Sequence, residues 1–226
     1  MNRRTFLAAV SSLAALDTVP VLAASGETKI KTTSNGPSRK VIVGTAMQSF
    51  WGQYPGLSNR LDQLAGIVDQ MAAQAKKKFG RGLDLAILPE TSITGEAGGD
   101  ALASSVPFEG QVQEVFTRKA REHGCYIVVP TYLLDSQEKK LCSNAAILVG
   151  RKGETMGTYR KVHLVVSLDR GTMEGGATPG DAFPIFDCDF GKLGIQICYD
   201  MEFDDGWAEL ARRGAELIAW PTQSPQ

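Results

Sequence analysis

Residues 193–200 read LGIQICYD, an apolar stretch that ends in the thiol of Cys198 and its two polar neighbours. Residues 183–190 (FPIFDCDF) and the pair Gly191-Lys192, which precede this stretch, predict a β-hairpin that turns at that pair. A strand is rigid up to its last residue and open beyond it, which suits a side chain that must be held ready for chemistry. The stretch therefore predicts a strand that presents a thiol at its end.

Two other predicted strands end in reactive side chains of different kinds. Residues 84–88 (DLAIL) are stopped by Pro89 and followed by Glu90, whereas residues 154–160 (ETMGTYR) are followed by Lys161. Each signal is weak alone, because a glutamate after a strand is usually solvated and a cysteine at the end of an apolar strand is most often inert core. Together, a carboxylate, an ammonium group and a thiol at three strand ends indicate one reactive site.

The rest of the chain alternates predicted strands with predicted helices. Apolar residues recur at intervals of three and four from Leu61 to Ala75, which predicts a helix capped by Ser58 and ended by Gly80. Strands and helices in this order, with hairpins between, predict an α/β architecture in which helices pack on the faces of mixed sheets. The other predicted elements are strands at 41–48, 126–129, 145–149 and 216–220, a hairpin turn at 151–153, and helices at 111–123 and 206–213, closed by Gly124 and Gly214.

Composition excludes several classes of function. The 226 residues are 43% hydrophobic and 22% charged, which suits one globular domain, and a net charge of −1 provides no basic surplus for binding nucleic acid. Two histidines, and four cysteines without a C-x-x-C pair, argue against a metal site. The absence of a G-x-G-x-x-G motif and of a P-loop argues against a nucleotide, so we expect no cofactor. A disulfide between two of the cysteines stays open; they are Cys125, Cys142, Cys188 and Cys198.

The first 24 residues are expected to be a signal peptide. The arginine pair at 3–4 precedes an apolar run at 8–16, and small residues then provide a cleavage site after Ala23 or Ala24. The adjacent arginines are typical of a twin-arginine export signal, and an ordinary secretory signal is the alternative. Because the apolar run is too short to span a bilayer, we expect an exported, periplasmic or extracellular protein with no stable membrane insertion after signal removal.

The three stretches with reactive ends, in their order along the chain, resemble the nitrilase superfamily of carbon–nitrogen hydrolases. The resemblance covers roughly residues 41–222, and three motifs in the family's order are a specific match. The matching stretches are 88–90 (LPE), 159–164 (YRKVHL) and 194–200 (GIQICYD), supported by 178–180 (TPG), 213–218 (RGAELI) and 220–222 (WPT).

The resemblance implies a four-layer αββα sandwich that holds a Glu-Lys-Cys site. The family's roles carry over to Glu90 as the general base, to Lys161 as the cation that stabilises developing negative charge, and to Cys198 as the nucleophile. The backbone N–H of Tyr199 is expected to be a second donor to that charge. The physical chemistry agrees, because a free thiol has a pKa of about 8.5 and needs a base to become a nucleophile at neutral pH.

The same resemblance suggests roles for residues near the motifs. Family members often carry a second glutamate that orients the lysine or the substrate; Glu174 is the best positional match and Asp169 is the alternative. The stretch after the cysteine motif departs from the family's usual Phe-Pro-Glu, since residues 203–207 read FDDGW. Trp207 is then either an aromatic wall of the substrate pocket or a core residue. His163 is interpreted as structural, holding the lysine loop by hydrogen bonds.

The extent of the domain is also an expectation. Residues 25–39 are polar and predict a flexible lead-in, followed by a hydrolase domain at 40–226. Relatives usually continue for several more strands and a tail that packs in the dimer, so we expect the C-terminal strands to be lacking and an edge of the second sheet to be exposed. A full-length protein of this family is expected to form a homodimer or a larger assembly.

These observations predict a thiol-dependent hydrolase that cleaves a non-peptide carbon–nitrogen bond through a thioester on Cys198. The substrate is expected to be a small amide or carbamoyl compound, with a nitrile as the less favoured choice. The alternatives are an exported, catalytically inactive binding protein on the same scaffold and an N-acyltransferase.

Overall fold

The computed structural model describes residues 40–47, 53–95, 97, 100–167 and 172–223. The predicted signal peptide and lead-in, like Asp169, lie outside the described residues. Within the described part of the chain, no helix combines the length and apolar character needed to cross a bilayer.

Five strands form the first sheet, in the same order as in the sequence. The first three strands run parallel, because helices α1 (Leu57–Phe79) and α2 (Gln111–His123) carry the chain back between them. The last two strands follow as antiparallel hairpins. The strands are β1 (Val43–Thr45), β2 (Leu85–Ile87), β3 (Tyr126–Ser136), β4 (Leu141–Val149) and β5 (Thr155–Arg160).

The second half of the chain forms two smaller sheets. Strands β6 (Val166–Ser167) and β7 (Thr172–Met173) form a short antiparallel pair. The other sheet has three strands, in which β9 lies between β10, its parallel neighbour, and β8, its antiparallel neighbour. A 3-10 turn at Cys198–Glu202 and helix α3 (Asp204–Arg212) connect β9 to β10. The strands are β8 (Ile185–Cys188), β9 (Gly191–Ile195) and β10 (Leu217–Ala219).

The layers pack against one another through two apolar cores. One lies between the helices and the first sheet, where Leu64 of α1 and Phe116 of α2 pack in one cluster with Ile127 of β3. The other lies between the sheets and joins Val128 of β3 to Ile195 of β9. Alternate residues of β3 therefore face opposite cores, as strand geometry requires. Because Leu210 of α3 packs outside β9 at Gly194, the order is helices, sheet, sheet, helix, which confirms the four-layer sandwich.

Helix ends agree with the sequence patterns except at one cap. Helices α1 and α2 end at Gly80 and Gly124, each in the left-handed conformation that glycine adopts without strain. The prediction that Ser58 caps α1 is wrong. The helix begins at Leu57, and Gly56, at a φ of 87°, is the cap without a side-chain hydrogen bond. The start of α1 is set by the positive φ of Gly56, a conformation that other residues rarely adopt. Ser58 therefore lies inside the first turn of the helix.

Two predicted boundaries in the second sheet were displaced. The hairpin turn was predicted at Gly191-Lys192, but Cys188 pairs with Gly191, so the loop consists of Asp189 and Phe190. Phe190 packs edge-on against the Tyr126 ring with centroids 5.3 Å apart, which explains why it leaves the strand. Helix α3 begins at Asp204, two residues before the predicted start, with two aspartates in its first turn.

The first predicted strand, at 41–48, is shorter and less buried than expected. It spans Val43–Thr45, and the Val43 side chain is 37% exposed. Its position explains the exposure, because β1 pairs only with β2 and forms an edge of the first sheet as described.

Candidate active site

The three predicted reactive residues lie where the core between the two sheets reaches the strand ends. Glu90 follows β2 by three residues and Lys161 follows β5 directly, so both belong to the first sheet. Cys198 follows β9 by three residues and belongs to the second. The predicted strand at 193–198 is therefore shorter than expected, and the thiol lies on the turn after it. The three side chains approach one another from two sheets.

A buried lysine stands between two carboxylates. The Lys161 ammonium nitrogen lies 3.0 Å from Glu90 Oε1 and 3.0 Å from Glu174 Oε1, and these side chains are only 1%, 5% and 11% exposed. Burial acts to lower the pKa of Lys161, but the charges and hydrogen bonds of Glu90 and Glu174 outweigh it, so its pKa is raised. The lysine is therefore an ammonium ion at neutral pH and cannot serve as the base.

Asn144, which the motif analysis missed, joins the two carboxylates. Its Nδ2 donates a 2.8 Å hydrogen bond to Glu90 Oε1 and another to Glu174 Oε1. It is fully buried in the middle of β4, and its Oδ1 has no partner within the described residues. Turning the amide over would aim that oxygen at two carboxylates, so the orientation is fixed by charge. A lone asparagine inside an apolar strand was the available signal.

Glu174 reaches the cluster from a loop rather than from a strand end. It opens the 3-10 turn Glu174–Gly176, and its Oε2 accepts a 3.3 Å hydrogen bond from the Val165 N–H. The structure thus brings the better of the two predicted candidates to Lys161.

Cys198 occupies a strained turn beside the carboxylates. Its φ is 45°, and its N–H donates to the Pro221 carbonyl over 2.9 Å. Burial raises the pKa of the Cys198 thiol, as does the Glu90 charge, while a hydrogen bond to the Thr222 side chain and the charge of Lys161 act in the opposite direction. Because the net shift is upward, the resting group is a neutral thiol that needs a base to attack.

Backbone strain concentrates at this cluster. Among the described residues other than glycine, four have a positive φ, and three of them are Thr91, Glu174 and Cys198. Such conformations persist only where the surrounding contacts hold them in place. Three of these four residues therefore lie at or next to the cluster: Thr91 beside Glu90, Glu174 itself and Cys198.

Gln223 contacts both Glu90 and Cys198. Its N–H donates to Glu90 Oε2 over 2.7 Å, and its carbonyl oxygen lies 3.8 Å from Cys198 Sγ. The Thr91 hydroxyl donates to its side-chain oxygen. The sequence carried no signal for this role, because the main contacts are made by the backbone.

Asp200 links the cysteine turn (Cys198–Glu202) to the lysine loop, which is the segment that follows Lys161 and contains His163. Its buried carboxylate accepts hydrogen bonds from the Tyr159 hydroxyl (2.6 Å), the Ile197 N–H (2.9 Å) and the His163 N–H (2.9 Å). The His163 ring nitrogen Nδ1 lies 3.0 Å from the same carboxylate, and the ring stacks on Phe203 at 4.0 Å. His163 therefore holds its loop by hydrogen bonds, as the sequence indicated.

Two predicted residues lie on the neighbouring surface. The Tyr199 side chain is partly exposed and packs edge-on against Phe203. Trp207 lies on α3, and its indole donates a 3.2 Å hydrogen bond to the Met201 carbonyl, which ties the helix to the cysteine turn. The expected contributions of the Tyr199 N–H and the Trp207 ring to substrate binding remain predictions.

The cysteines are all unpaired, so the open question of a disulfide is settled. Within the described residues, one group of side chains has the spacing of metal ligands, namely Asp69, Glu122 and His123. The Lys119 ammonium lies 2.7 Å from Asp69 and 2.9 Å from Glu122, so both carboxylates of this surface cluster between α1 and α2 already form ion pairs with a lysine.

The structure thus places a buried Glu-Lys-Glu cluster next to the turn that carries Cys198, on a sheet-on-sheet sandwich covered by helices. A family model described as carbon–nitrogen hydrolase matches residues 51–225, and the chain therefore belongs to that family.

Relatives of known name support this membership. The chain is 35% identical over 152 residues to a protein named nitrilase from Pyrococcus abyssi, a match covering 65% of this chain and 54% of that protein. It is 32% identical over 151 residues to the deaminated glutathione amidase of Homo sapiens, with coverage of 62% and 46%. An omega-amidase of Xenopus laevis is 28% identical over 152 residues, with coverage of 65% and 54%. The chain thus spans about half the length of these curated relatives.

Solved structures show the same fold. A carbon–nitrogen hydrolase from Helicobacter pylori superimposes with a TM-score of 0.63 at 22% identity, over 80% of this chain and 59% of that one. An amidase from Nesterenkonia sp. superimposes with a TM-score of 0.64 at 21% identity, over 82% and 66%.

Proposed function

We propose that this protein hydrolyses a non-peptide carbon–nitrogen bond with Cys198 as nucleophile, Glu90 as general base and Lys161 as the stabilising cation. The observation that supports this most strongly is the buried Lys161 ammonium, held 3.0 Å from Glu90 and from Glu174 beside a partly buried thiol. Charged groups are costly to bury. The raised pKa values of Lys161 and Cys198 leave an ammonium ion and a neutral thiol, which are the forms from which the proposed chemistry starts.

The first step forms the nucleophile. Glu90 accepts the thiol proton of Cys198, and the sulfur attacks the carbonyl carbon, so that a C–S bond forms while the carbonyl π electrons move to oxygen. Lys161 stabilises this oxyanion, with the Tyr199 N–H as the second donor. The Glu90 carboxyl group, now neutral, keeps the proton for the next step.

The second step expels nitrogen and regenerates the enzyme. Glu90 donates its proton to the departing nitrogen as the C–N bond breaks, which leaves an acyl thioester on Cys198. Glu90 then takes a proton from water, whose oxygen attacks the thioester, and the thiolate recovers the proton as the acid leaves. Glu174 and Asn144 hold Lys161 and Glu90 in place throughout.

We propose a small amide or carbamoyl compound as substrate. Two of the three named relatives are amidases and one is a nitrilase, which favours amide cleavage over nitrile cleavage.

Ammonia release from a panel of small amides, carbamoyl compounds and nitriles tests the proposal. We expect activity in the unchanged protein and in Cys188→Ala, whose thiol lies on β8 and has a pKa raised by burial to about 12. We expect none in Cys198→Ala. Undiminished hydrolysis by Cys198→Ala would overturn the assignment.

Two further proposals concern the export of the protein and its assembly. We propose that residues 1–24 direct export and that the full-length protein forms a homodimer or a larger assembly. Replacement of Arg3-Arg4 by two lysines is expected to retain a twin-arginine substrate in the cytoplasm. Normal export of that variant would indicate the general secretory route.

A further inference from the structure

A row of three residues crosses the first sheet at the candidate site: Tyr132 on β3, Asn144 on β4 and Lys161 directly after β5. Tyr132 of β3 pairs directly with Asn144 of β4, and Ala145 pairs with Arg160 of β5. The next residue, Lys161, donates its N–H to the Asn144 carbonyl over 2.8 Å. Directly paired residues project to the same face of a sheet, so the side chains of Tyr132 and Asn144 are neighbours.

Tyr132 and Asn144 lie on the face of the first sheet that carries the candidate active site. On β3, the alternating residues Tyr126 and Val128 belong to the core between the two sheets, and Tyr132 has the same parity. Asn144, on the same face of β4, joins Glu90 to Glu174. The row therefore continues the catalytic cluster by one position beyond the asparagine.

The Tyr132 ring is held in place, while its hydroxyl is not engaged. The ring packs against a small apolar cluster that includes Cys142, Leu164 and Ala177. Across the part of the chain that the structure describes, the Tyr132 hydroxyl has no hydrogen-bond partner, in contrast to those of Tyr126 and Tyr159. A fixed ring with an unengaged hydroxyl is suited to binding a ligand.

The charges around Tyr132 determine what its hydroxyl offers. Burial raises the pKa of the Tyr132 hydroxyl, and the negative charges of Glu174 and Glu90 raise it further, with a smaller contribution from Cys198. The Tyr132 hydroxyl is therefore protonated at neutral pH, and it is close enough to Glu174 and Glu90 to be affected by their charges. A phenol among carboxylates acts as a hydrogen-bond donor.

We propose that the Tyr132 hydroxyl binds substrate by donating a hydrogen bond to an oxygen acceptor on the acyl chain. The inference rests on the proposed function. The leaving nitrogen of an amide carries N–H donors, and the reacting oxygen is assigned to Lys161, so the acceptor left for Tyr132 is a second oxygen on the acyl side. The preferred substrate class is thus a short carboxamide whose acyl chain bears a carbonyl or hydroxyl oxygen.

The test compares Tyr132→Phe with a matched control on the same strand and face. Tyr126→Phe removes a hydroxyl that accepts the Asp189 N–H over 3.1 Å, away from the catalytic cluster. The probes are 3-oxobutanamide, which has the second oxygen, and butanamide, which lacks it. We expect Tyr132→Phe to raise KM for 3-oxobutanamide roughly 3- to 10-fold, the effect of one hydrogen bond, with kcat and the values for butanamide unchanged. Tyr126→Phe is expected to leave the ratio of the two KM values unchanged.

A binding measurement separates this inference from the proposed function. Both amides are titrated by ligand-observed NMR into Cys198→Ala, with and without Tyr132→Phe. A selective loss of 3-oxobutanamide affinity supports the inference even if the unchanged protein hydrolyses no amide, in which case the proposed reaction alone fails. Equal affinities with and without the Tyr132 hydroxyl overturn the inference, as does a uniform fall in kcat for both amides or a lack of binding to either.

Discussion

The two halves of the candidate site are built in different ways. Glu90, Lys161 and Glu174 are almost completely buried and joined by hydrogen bonds of 3.0 Å. Cys198 is partly exposed on a turn, and its sulfur lies 3.8 Å from the Gln223 carbonyl. The first half combines Glu90 and Lys161, which follow strands of the five-stranded sheet, with Glu174 from a loop. The second half is a single turn, with a φ of 45° at Cys198. Burial and hydrogen bonds thus fix the Glu90 and Lys161 side chains, whereas Cys198 is held by its turn.

The comparison separates effects on folding from effects on chemistry. Removing one partner of a buried ion pair leaves an uncompensated charge, so substitutions in the lysine half should impair both stability and activity. Substitutions at the thiol should impair activity alone. The predictions below follow this contrast, beginning with the largest combined effect on stability and activity and ending with the smallest.

The largest effect is expected from Lys161→Met. It removes the cation proposed to stabilise the oxyanion, which typically costs about 2.7–4 kcal/mol, or roughly 100- to 1,000-fold in kcat. It also leaves Glu90 and Glu174 buried without their counterion, at a cost of about 3–5 kcal/mol in unfolding free energy. Urea denaturation and steady-state kinetics measure the two effects. The exposed Lys152→Met should change neither, and a stable, active Lys161→Met would contradict the account.

Asp200→Asn should weaken the link between the halves. The neutral amide cannot accept the hydrogen bonds from Tyr159, Ile197 and His163 as the carboxylate does. We expect about 1–3 kcal/mol less unfolding free energy, and a fall in kcat because the cysteine turn loses its tie to the lysine loop. Asp204→Asn, on the exposed start of α3, is the control. An unchanged kcat in Asp200→Asn would show that the turn holds its position without this carboxylate.

Glu90→Gln should separate thiol reactivity from catalysis. Burial is the main cause of the raised pKa of Cys198, and the Glu90 charge is the next. Removing that charge lowers the thiol pKa, so the pH midpoint of Cys198 alkylation by iodoacetamide should move down while amide hydrolysis is lost.

The exposed Glu138→Gln provides the baseline for that experiment. Peptide mapping should find Cys198 labelled before the buried Cys125 and Cys142. An unchanged midpoint in Glu90→Gln would mean that the carboxylate does not act on the thiol.

Tyr159→Phe should give the smallest effect. It removes one of the donors to Asp200 and keeps the ring that fills the core between the sheets. We expect about 0.5–1.5 kcal/mol less unfolding free energy and a kcat within a few-fold of the unchanged protein. A loss as large as that of Asp200→Asn would assign the linking role to the tyrosine.

The sequence predicted those parts of the site that lie at strand ends. Glu90, Lys161 and Cys198 follow apolar strands with recognisable motifs, and Glu174 follows the lysine motif at the family's spacing. Asn144 and Gln223 could not be found in this way, because their roles depend on the strand register and on a backbone N–H respectively. The sequence specifies which residues form strands more clearly than which residues lie opposite one another.

Local boundaries failed for a related reason. Ser58 has the chemistry of a helix cap, but the backbone of Gly56 begins the helix earlier. The hairpin loop falls at Asp189 and Phe190 because Phe190 packs on Tyr126, a residue 64 positions earlier in the chain. Local propensity cannot anticipate such a tertiary contact.

The central claim is that Cys198 forms a thioester with the acyl part of the substrate. Acid quenching during turnover of an accepted amide, followed by intact-mass and peptide mass spectrometry, measures it directly. The account predicts a mass increase equal to the acyl group, confined to the peptide that contains Cys198 and absent in Cys198→Ala. Turnover that persists in Cys198→Ala, or an adduct on a different residue, would contradict it.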